Sequence, residues 1–119
     1  MAQVTTIEPK VAQTAPKQVT EHKSTEQIVR EAARTHGIDE AYFVSIAMCE
    51  STMNATAVNY NYYENGNPSG LFQHISGYWP ARAAKYGYAG ASVFDATANA
   101  NVTAQMFRDG ASNLWECKA

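Results

Sequence analysis

The sequence predicts a mainly α fold, a small globule of short helices. Its 119 residues suit one domain with a single core. Apolar residues recur at spacings of three and four, as on one face of a helix, and little of the chain alternates with the period of two that strands require. Capping residues and glycines bracket these segments, so the sequence also predicts where the helices begin and end.

Composition separates a leader from a folded unit. Residues 1–23 hold two of the four prolines, no aromatic residue and many Thr, Gln and Lys residues. Such a segment buries too little apolar surface to offset the entropy that ordering removes. We therefore expect a disordered leader at 1–23 and one domain at 24–119. The leader lacks an apolar h-region, so no signal peptide is visible.

Charge and motif content exclude several functions. A net charge of -2 and a pI near 5.9 give no basic surface for nucleic acid. No apolar run reaches the roughly 18 residues of a membrane span. The histidines are scattered and the cysteines form no CxxC pair, so we expect neither a metal nor a cofactor.

The first two helices have clear boundaries. Ser24 and Gln27 form a capping box in STEQ, and Gly37 suits the left-handed position that ends a helix. Asp39 then caps a second helix, EAYFVSIAMCES, at residues 40–51.

Glu50 lies on the buried face of this second helix. Phe43, Ile46, Ala47 and Glu50 follow the i, i+3, i+4, i+7 pattern of one face. An apolar face and a helix C-terminus both disfavour the charged carboxylate and raise its pKa. A carboxyl group that stays protonated near neutral pH suits a general acid. The alternative is an ordinary Glu whose long stem carries its head to water.

The neighbours of Glu50 are poor nucleophiles. Cys49 lies near a helix C-terminus beside an anion, which raises the pKa of its thiol. Ser51 lacks a G-x-S-x-G elbow. Cys49 and Cys117 are either two free thiols or one disulfide, depending on the redox compartment.

A loop rich in rings and amides follows at residues 59–66. Tyr62, Tyr63 and the surrounding asparagines offer a surface that suits sugars, although an exposed loop with structural tyrosines also explains them. In SGLFQHIS, Gly70 allows close backbone approach and Gln73 offers a donor and an acceptor. We interpret SGLFQHIS as a turn that leads into a short helix.

Two further helices complete the predicted fold. SGYWPARAAKYG predicts a helix with Ser76 at its start, Pro80 in its first turn and Gly87 after its end. Asp95 caps the last long helix, ATANANVTAQMFRD, and Gly110 ends it.

Three segments in order, IAMCEST, SGLFQ and ANANVTAQMF, resemble the successive motifs of the soluble lytic transglycosylase family. The matching positions are Glu50-Ser51, Gly70-Leu71-Phe72-Gln73 and Asn101-Val102. The resemblance covers about residues 25–110 and extends to goose-type lysozymes and resuscitation-promoting factors of the same lysozyme-like superfamily. It departs at Phe72, where Met is common, and in a late tyrosine motif that is not evident.

The resemblance implies a substrate cleft and cleavage of the β-1,4 bond between N-acetylmuramic acid and N-acetylglucosamine in peptidoglycan. Glu50 matches the residue that protonates the glycosidic oxygen, and attack by the sugar's own C6 hydroxyl then leaves a 1,6-anhydro end. Ser51 matches a residue that positions the Glu or the substrate. Gly70 and Gln73 match the turn that lines the cleft, and Asn101 an Asn on the helix that supports it.

The resemblance leaves two alternatives open. A second carboxylate in the cleft, with Glu64 as the candidate, favours lysozyme-type hydrolysis. A catalytically silent glycan-binding or envelope module keeps the cleft without needing an acid at position 50. Under either enzymatic reading we expect a monomer that acts on glycan strands outside the cytoplasm, with a bridge from Cys49 to Cys117 that ties the C-terminal tail to the helix of Glu50.

Overall fold

Four α-helices and one small hairpin make up the described part of the chain. The computed structural model describes residues 22–60 and 64–117. The helices are α1 (Thr25–His36), α2 (Glu40–Ser51), α3 (Trp79–Lys85) and α4 (Ala96–Arg108). The strands are β1 (Pro68–Ser69) and β2 (His74–Ile75), and a 3-10 turn spans Ser112–Leu114. The prediction of a mainly α fold is confirmed, while the leader expected at 1–23 lies almost wholly outside the described residues.

The ends of α1 and the start of α2 follow the predicted caps. Ser24 Oγ accepts from the backbone N–H of Gln27, whose side chain accepts from the backbone N–H of Ser24. Gly37 ends α1 in the left-handed region, at φ 77°. The Asp39 carboxylate accepts from the backbone N–H of Tyr42 and so begins α2. These caps satisfy backbone groups that have no partner inside the helix.

Helix α4 is the most deeply buried element. Its buried residues lie on nearly every side: Ala98, Asn99, Ala100, Val102, Thr103, Ala104, Met106 and Phe107. A helix that is buried all round lies inside a domain rather than on its surface. Helix α1 packs against both α4 and α2. No helix in the described ranges is long and apolar enough to cross a bilayer.

Aromatic rings join the helices to the irregular segments. Phe43 of α2 stacks on Phe72, with 4.4 Å between ring centroids. Phe107 of α4 meets Phe43 edge-on at 5.4 Å and Trp115 at 5.0 Å. Phe72 and Trp115 belong to segments without helical structure, so these contacts fix both segments against the core.

The segment SGLFQHIS forms a hairpin, so the predicted turn is confirmed, while the prediction that it leads into a short helix is wrong. Strands β1 and β2 are antiparallel, with Pro68 opposite Ile75 and Ser69 opposite His74. The residues between the strands form the turn, with Gly70 at φ 81°. The strands are only two residues long, too short for alternation to be visible in the sequence.

Helix α3 begins later than predicted. Its N-cap is Tyr78, without a side-chain cap, and Pro80 lies in its first turn. Ser76, the predicted start, instead uses its Oγ to accept the backbone N–H of Asn67 at 3.1 Å. A serine can cap either a helix or a turn, and here the Ser76 side chain binds the backbone of the hairpin and does not cap α3.

Candidate active site

A cavity of about 470 Å³ lies beside the last turn of α2. Ligand sites typically measure about 300–1,000 Å³, so its size suits a small ligand or part of a polymer. The lining residues come from α2, the hairpin, α3 and the C-terminal segment: Cys49, Glu50, Asn59, Pro68, Gln73, Ile75, Tyr78, Arg82, Leu114, Trp115 and Glu116. Most of these elements are far apart in the chain, so the tertiary fold creates the cavity.

Glu50 reaches this cavity from a helix whose other face is fixed in the core. Phe43, Ile46 and Ala47 are buried, as the spacing predicted, and Glu50 is only partly buried. The rigid face of α2 therefore holds the carboxyl group where the core ends and the cavity begins. A carboxyl group in such a place can exchange a proton with a bound molecule.

The chain leaves α2 through two consecutive residues in the left-handed region. Thr52 has φ 52° and Met53 has φ 65°, values that non-glycine residues rarely adopt. Their backbone N–H groups donate to Met48 O and Ala47 O and so close the helix end. Strain of this kind often accumulates beside functional groups, and here it directly follows Glu50-Ser51.

Ser51 fastens this helix end instead of lining the cavity. Its side chain is buried, with 7% of its surface exposed. Its Oγ donates to Ala47 O at 3.2 Å and accepts the backbone N–H of Asn54 at 3.2 Å. Ser51 thus stabilises the turn that follows Glu50 at the end of α2.

Gln73 enters the cavity from the hairpin turn. Its backbone is left-handed, at φ 57°. Its Nε2 donates to Ala57 O at 3.1 Å and to Gly70 O at 2.9 Å. Because both amide hydrogens have carbonyl partners, the orientation of the amide is fixed. Gln73 can therefore present a preorganised polar group to a ligand.

Asn99, which the sequence analysis did not single out, holds the hairpin turn in place. It is fully buried; its Oδ1 accepts the backbone N–H of Phe72 at 2.9 Å, and its Nδ2 donates to Val93 O at 2.8 Å. Gly70 packs against the same group, since a Cβ there would lie 2.5 Å from Asn99 Nδ2. The signal in the sequence was a polar residue at a core position of α4.

A directed hydrogen-bond chain runs from the cavity into α4. Thr103 Oγ1 donates to Asn99 O at 2.7 Å, so towards His74 it acts as the acceptor. His74 Nε2 therefore carries the proton, and its Nδ1 accepts from Arg82 Nη1 at 3.0 Å. Burial, together with the nearby Arg82 guanidinium, lowers the pKa of His74 from 6.5 to about 3, which keeps the ring neutral.

The C-terminal segment forms another wall of the cavity. Cys49 and Cys117 form a disulfide, with 6.0 Å between their Cα atoms. The bridge was one of two states that the sequence left open, and it ties the tail to α2 as the resemblance implied. Trp115 Nε1 donates to Phe72 O at 2.7 Å. Both partners of the disulfide adjoin a glutamate, so the bridge brings Glu116 to the cavity that Glu50 lines.

The remaining candidate residues lie elsewhere. Asn101 lines a smaller hollow between α1 and α4, where its Oδ1 accepts from His36 Nε2 at 3.1 Å and its Nδ2 donates to Thr97 O. The structure therefore does not bring Asn101 together with Glu50. Glu64 is exposed and is not among the residues that line the cavity. Tyr62 and Tyr63 fall outside the described residues.

Comparison with protein families gives one match. The family model of the transglycosylase SLT domain matches residues 27–115, a range that includes Glu50, Gln73 and the whole of α4. No curated protein and no solved structure matches the chain.

Proposed function

Because this chain belongs to the transglycosylase SLT domain family, whose match covers most of its length, we propose that it cleaves peptidoglycan glycan strands with Glu50 as the general acid and base. The bond cleaved is the β-1,4 bond between N-acetylmuramic acid and N-acetylglucosamine. The functional unit is the domain at 24–119, and the disulfide supports a site of action outside the cytoplasm.

One observation carries this proposal. Glu50 and Gln73 belong to two different motifs and lie 23 positions apart in the sequence, and both line the same cavity. The carboxyl group is anchored by the buried face of α2, and the amide by two backbone carbonyls. An acid and an oriented polar group in one cavity are what cleavage of a glycosidic bond requires.

The proposed reaction needs one carboxyl group. Glu50 gives its proton to the glycosidic oxygen as the bond from C1 of the muramyl sugar to that oxygen breaks. The resulting carboxylate then takes the proton of the C6 hydroxyl, while the oxygen of that hydroxyl forms a bond to C1. The products are a free 4-hydroxyl and a 1,6-anhydro end, no water is consumed, and Glu50 is protonated again.

Hydrolysis is the second candidate function. For this reaction we propose Glu116, instead of Glu64, as the second carboxylate. Glycosidases that use water usually have two carboxylates in the cleft. Glu64 is exposed and not part of the cavity lining, whereas Glu116 lies in the lining with Glu50. Because Glu116 is itself exposed on the C-terminal segment, we favour the anhydro route, in which Glu50 acts alone.

The test uses purified peptidoglycan, the full chain and the variant Glu50→Gln. We expect wild type to release muropeptides with 1,6-anhydro ends and Glu50→Gln to release at most a hundredth as much, since loss of general acid–base catalysis typically costs about 10²- to 10⁴-fold. Mass spectrometry identifies the ends, and Glu64→Gln serves as the matched control that should retain activity.

Other outcomes separate the alternatives. Reducing ends that disappear in Glu116→Gln would assign hydrolysis with Glu116 as the second carboxylate. Equal release by wild type and Glu50→Gln would refute a catalytic role for Glu50. Binding to peptidoglycan without any release by either protein would identify a silent glycan-binding module.

A further inference from the structure

Arg82 is a cation in the cavity that Glu50 lines. It is partly buried and comes from the second turn of α3. Its Nη1 donates to His74 Nδ1 at 3.0 Å. Its guanidinium carbon lies 5.3 Å from the ring centroid of Tyr78 and 5.9 Å from that of Trp115. These contacts fix the guanidinium from the side of the core while it still lines the cavity.

Among the described residues, Arg82 differs from the other arginines because it has no carboxylate partner. Arg30 and Arg34 pair with glutamates of α1 and α2, and Arg108 pairs with Asp109. For Arg82, no Asp or Glu oxygen among residues 22–60 and 64–117 lies within 4.0 Å of the guanidinium. The three paired arginines are at the surface, whereas the unpaired one is in the cavity.

The partners that Arg82 has do not neutralise its charge. His74 is neutral and oriented by Thr103, and the two rings offer only cation–π contacts. A partly desolvated guanidinium without an anion is unfavourable, and an anion that enters the cavity removes this penalty. The planar fork of Arg suits a carboxylate, which it can bind with two hydrogen bonds.

We propose that Arg82 binds a carboxylate carried by the muramyl sugar of the glycan strand and so makes the cavity selective for that strand over neutral glycans. The inference rests on the proposed function, because it assumes that the ligand in the cavity is peptidoglycan. Two carboxylates have the required chemistry: the lactyl group of a strand without peptides, and the stem peptide where that lactyl group is amidated.

Glu116 is the internal competitor for Arg82. It lines the same cavity from the C-terminal segment and is exposed. The Glu116 carboxylate lies more than 4.0 Å from the guanidinium, and attraction over such a distance at an exposed site is weak and screened by salt, so it does not prevent a substrate anion from binding. Removal of the Glu116 carboxylate should therefore leave the selectivity of Arg82 in place.

The experiment measures dissociation constants by calorimetry on the full chain in the Glu50→Gln background, which prevents turnover. The ligands are a neutral N-acetylglucosamine tetramer, a peptide-free strand of alternating muramyl and glucosaminyl sugars, and the same strand with stem peptides. We expect Arg82→Gln to weaken binding of a carboxylate-bearing strand about tenfold or more and to leave the neutral tetramer unchanged. Arg82→Lys should restore part of the difference.

Each outcome bears on the proposal. A loss seen with the peptide-free strand assigns the lactyl carboxylate, and a loss seen only with stem peptides assigns the peptide carboxylate. Equal weakening for all three ligands would mean that Arg82 only supports the fold, and no preference for carboxylate strands in the Glu50→Gln protein would also overturn the proposal. The proposal would also be overturned if Glu116→Gln lost the preference for carboxylate-bearing strands while Arg82→Gln kept it.

The two proposals fail separately. Cleavage with anhydro ends but without a preference that depends on Arg82 leaves the proposed function standing and overturns this inference. Binding with that preference but without cleavage overturns the proposed function and leaves this inference standing.

Discussion

Two walls of the cavity are held in place by different means. The hairpin wall, defined as residues 68–82, is fixed by buried polar side chains of α4, since Asn99 holds the turn and Thr103 holds His74. The C-terminal wall, defined as residues 114–117, is fixed by the disulfide to α2 and by the hydrogen bond from Trp115 to Phe72 O. Each wall contributes a charged residue to the cavity of Glu50, Arg82 on one side and Glu116 on the other.

The difference teaches that one cavity depends on two chemically different conditions, while the hydrogen bond from Trp115 to Phe72 O joins the two walls. Protonation of His74 at Nδ1 removes the acceptor for Arg82 Nη1 and places a second cation beside the guanidinium, while the bond from Nε2–H to Thr103 remains. A disulfide is insensitive to mild acid but is lost under reducing conditions. Acid should therefore weaken the hairpin wall first, and reductant the C-terminal wall.

The largest effect is expected from removing the disulfide. The bridge joins residues 68 positions apart, and loop-closure entropy puts its contribution at about 4 kcal/mol. The double variant Cys49→Ala/Cys117→Ala should lose roughly that much free energy of unfolding, measured by urea denaturation monitored by circular dichroism. The hairpin wall should keep most of its structure at low urea, because its bonds to Asn99 and Thr103 of α4 do not depend on the bridge.

A reductant gives the matched control for this prediction. Wild type in excess dithiothreitol should unfold at the same urea concentration as the double variant, and the double variant itself should not respond to the reagent. Equal stability of wild type and double variant in the absence of reductant would contradict the role assigned to the bridge.

The next effect concerns His74 and pH. The pKa of His74 is about 3 in the folded chain and near 6.5 when unfolded. Between these values the unfolded chain binds the extra proton, so stability falls as pH falls. From pH 7.5 to pH 4.5 His74 should account for a loss of about 2–3 kcal/mol in the free energy of unfolding. Above about pH 7.5 its contribution should be constant.

His74→Gln is the control, because its amide can still donate to Thr103 and accept from Arg82 without titrating. The difference in stability between wild type and variant should therefore change between about pH 7.5 and pH 4.5 and be flat above that range. Parallel stability curves over the whole range would show that burial of His74 does not limit the hairpin wall in acid.

The sequence predicted the first two helices better than the hairpin wall. The ends of α1 and the start of α2 could be predicted because Ser24, Gly37 and Asp39 act on backbone groups within one turn. The buried face that carries Glu50 could be predicted because it depends only on helical periodicity. Helix caps and helical periodicity depend only on residues close together in the chain, so a single sequence is enough to predict them.

The hairpin wall could not be predicted in the same way. Asn99 lies among Ala and Val residues of α4. Its amide oxygen accepts from the backbone N–H of Phe72, which is 27 positions away in the sequence, so this partner is known only from the fold. Ser76 looked like a helix cap because its hydrogen-bond partner, Asn67, belongs to a turn that the sequence did not reveal. The pairing of Arg82 with His74 likewise depends on the hairpin register. Long-range partners of polar side chains are decided by tertiary packing.

The smallest effect is expected at the end of α2, from which Glu50 and the disulfide both extend. Thr52 closes this helix at φ 52°, whereas α1 closes with Gly37 at φ 77°. A left-handed β-branched residue is strained by roughly 1–2 kcal/mol, and glycine is not. Thr52→Gly should therefore raise the free energy of unfolding by about 1 kcal/mol, after allowance for the greater freedom of glycine in the unfolded chain and for the lost bond from Thr52 Oγ1 to Ser51 O.

The mirror variant is Gly37→Thr, where an added Cβ meets no neighbouring atom within 4 Å, so that its loss of stability reports mainly the strain of a left-handed β-branched residue. Thermal unfolding of both variants gives the comparison, with muropeptide release as the second measurement. Because Ser51 and the backbone N–H groups still close the helix end in Thr52→Gly, we expect glycan cleavage to be unchanged. A variant that gains stability but loses cleavage would instead show that the strain at Thr52 sets the position of Glu50, and that the end of α2 belongs to the working parts of the cavity.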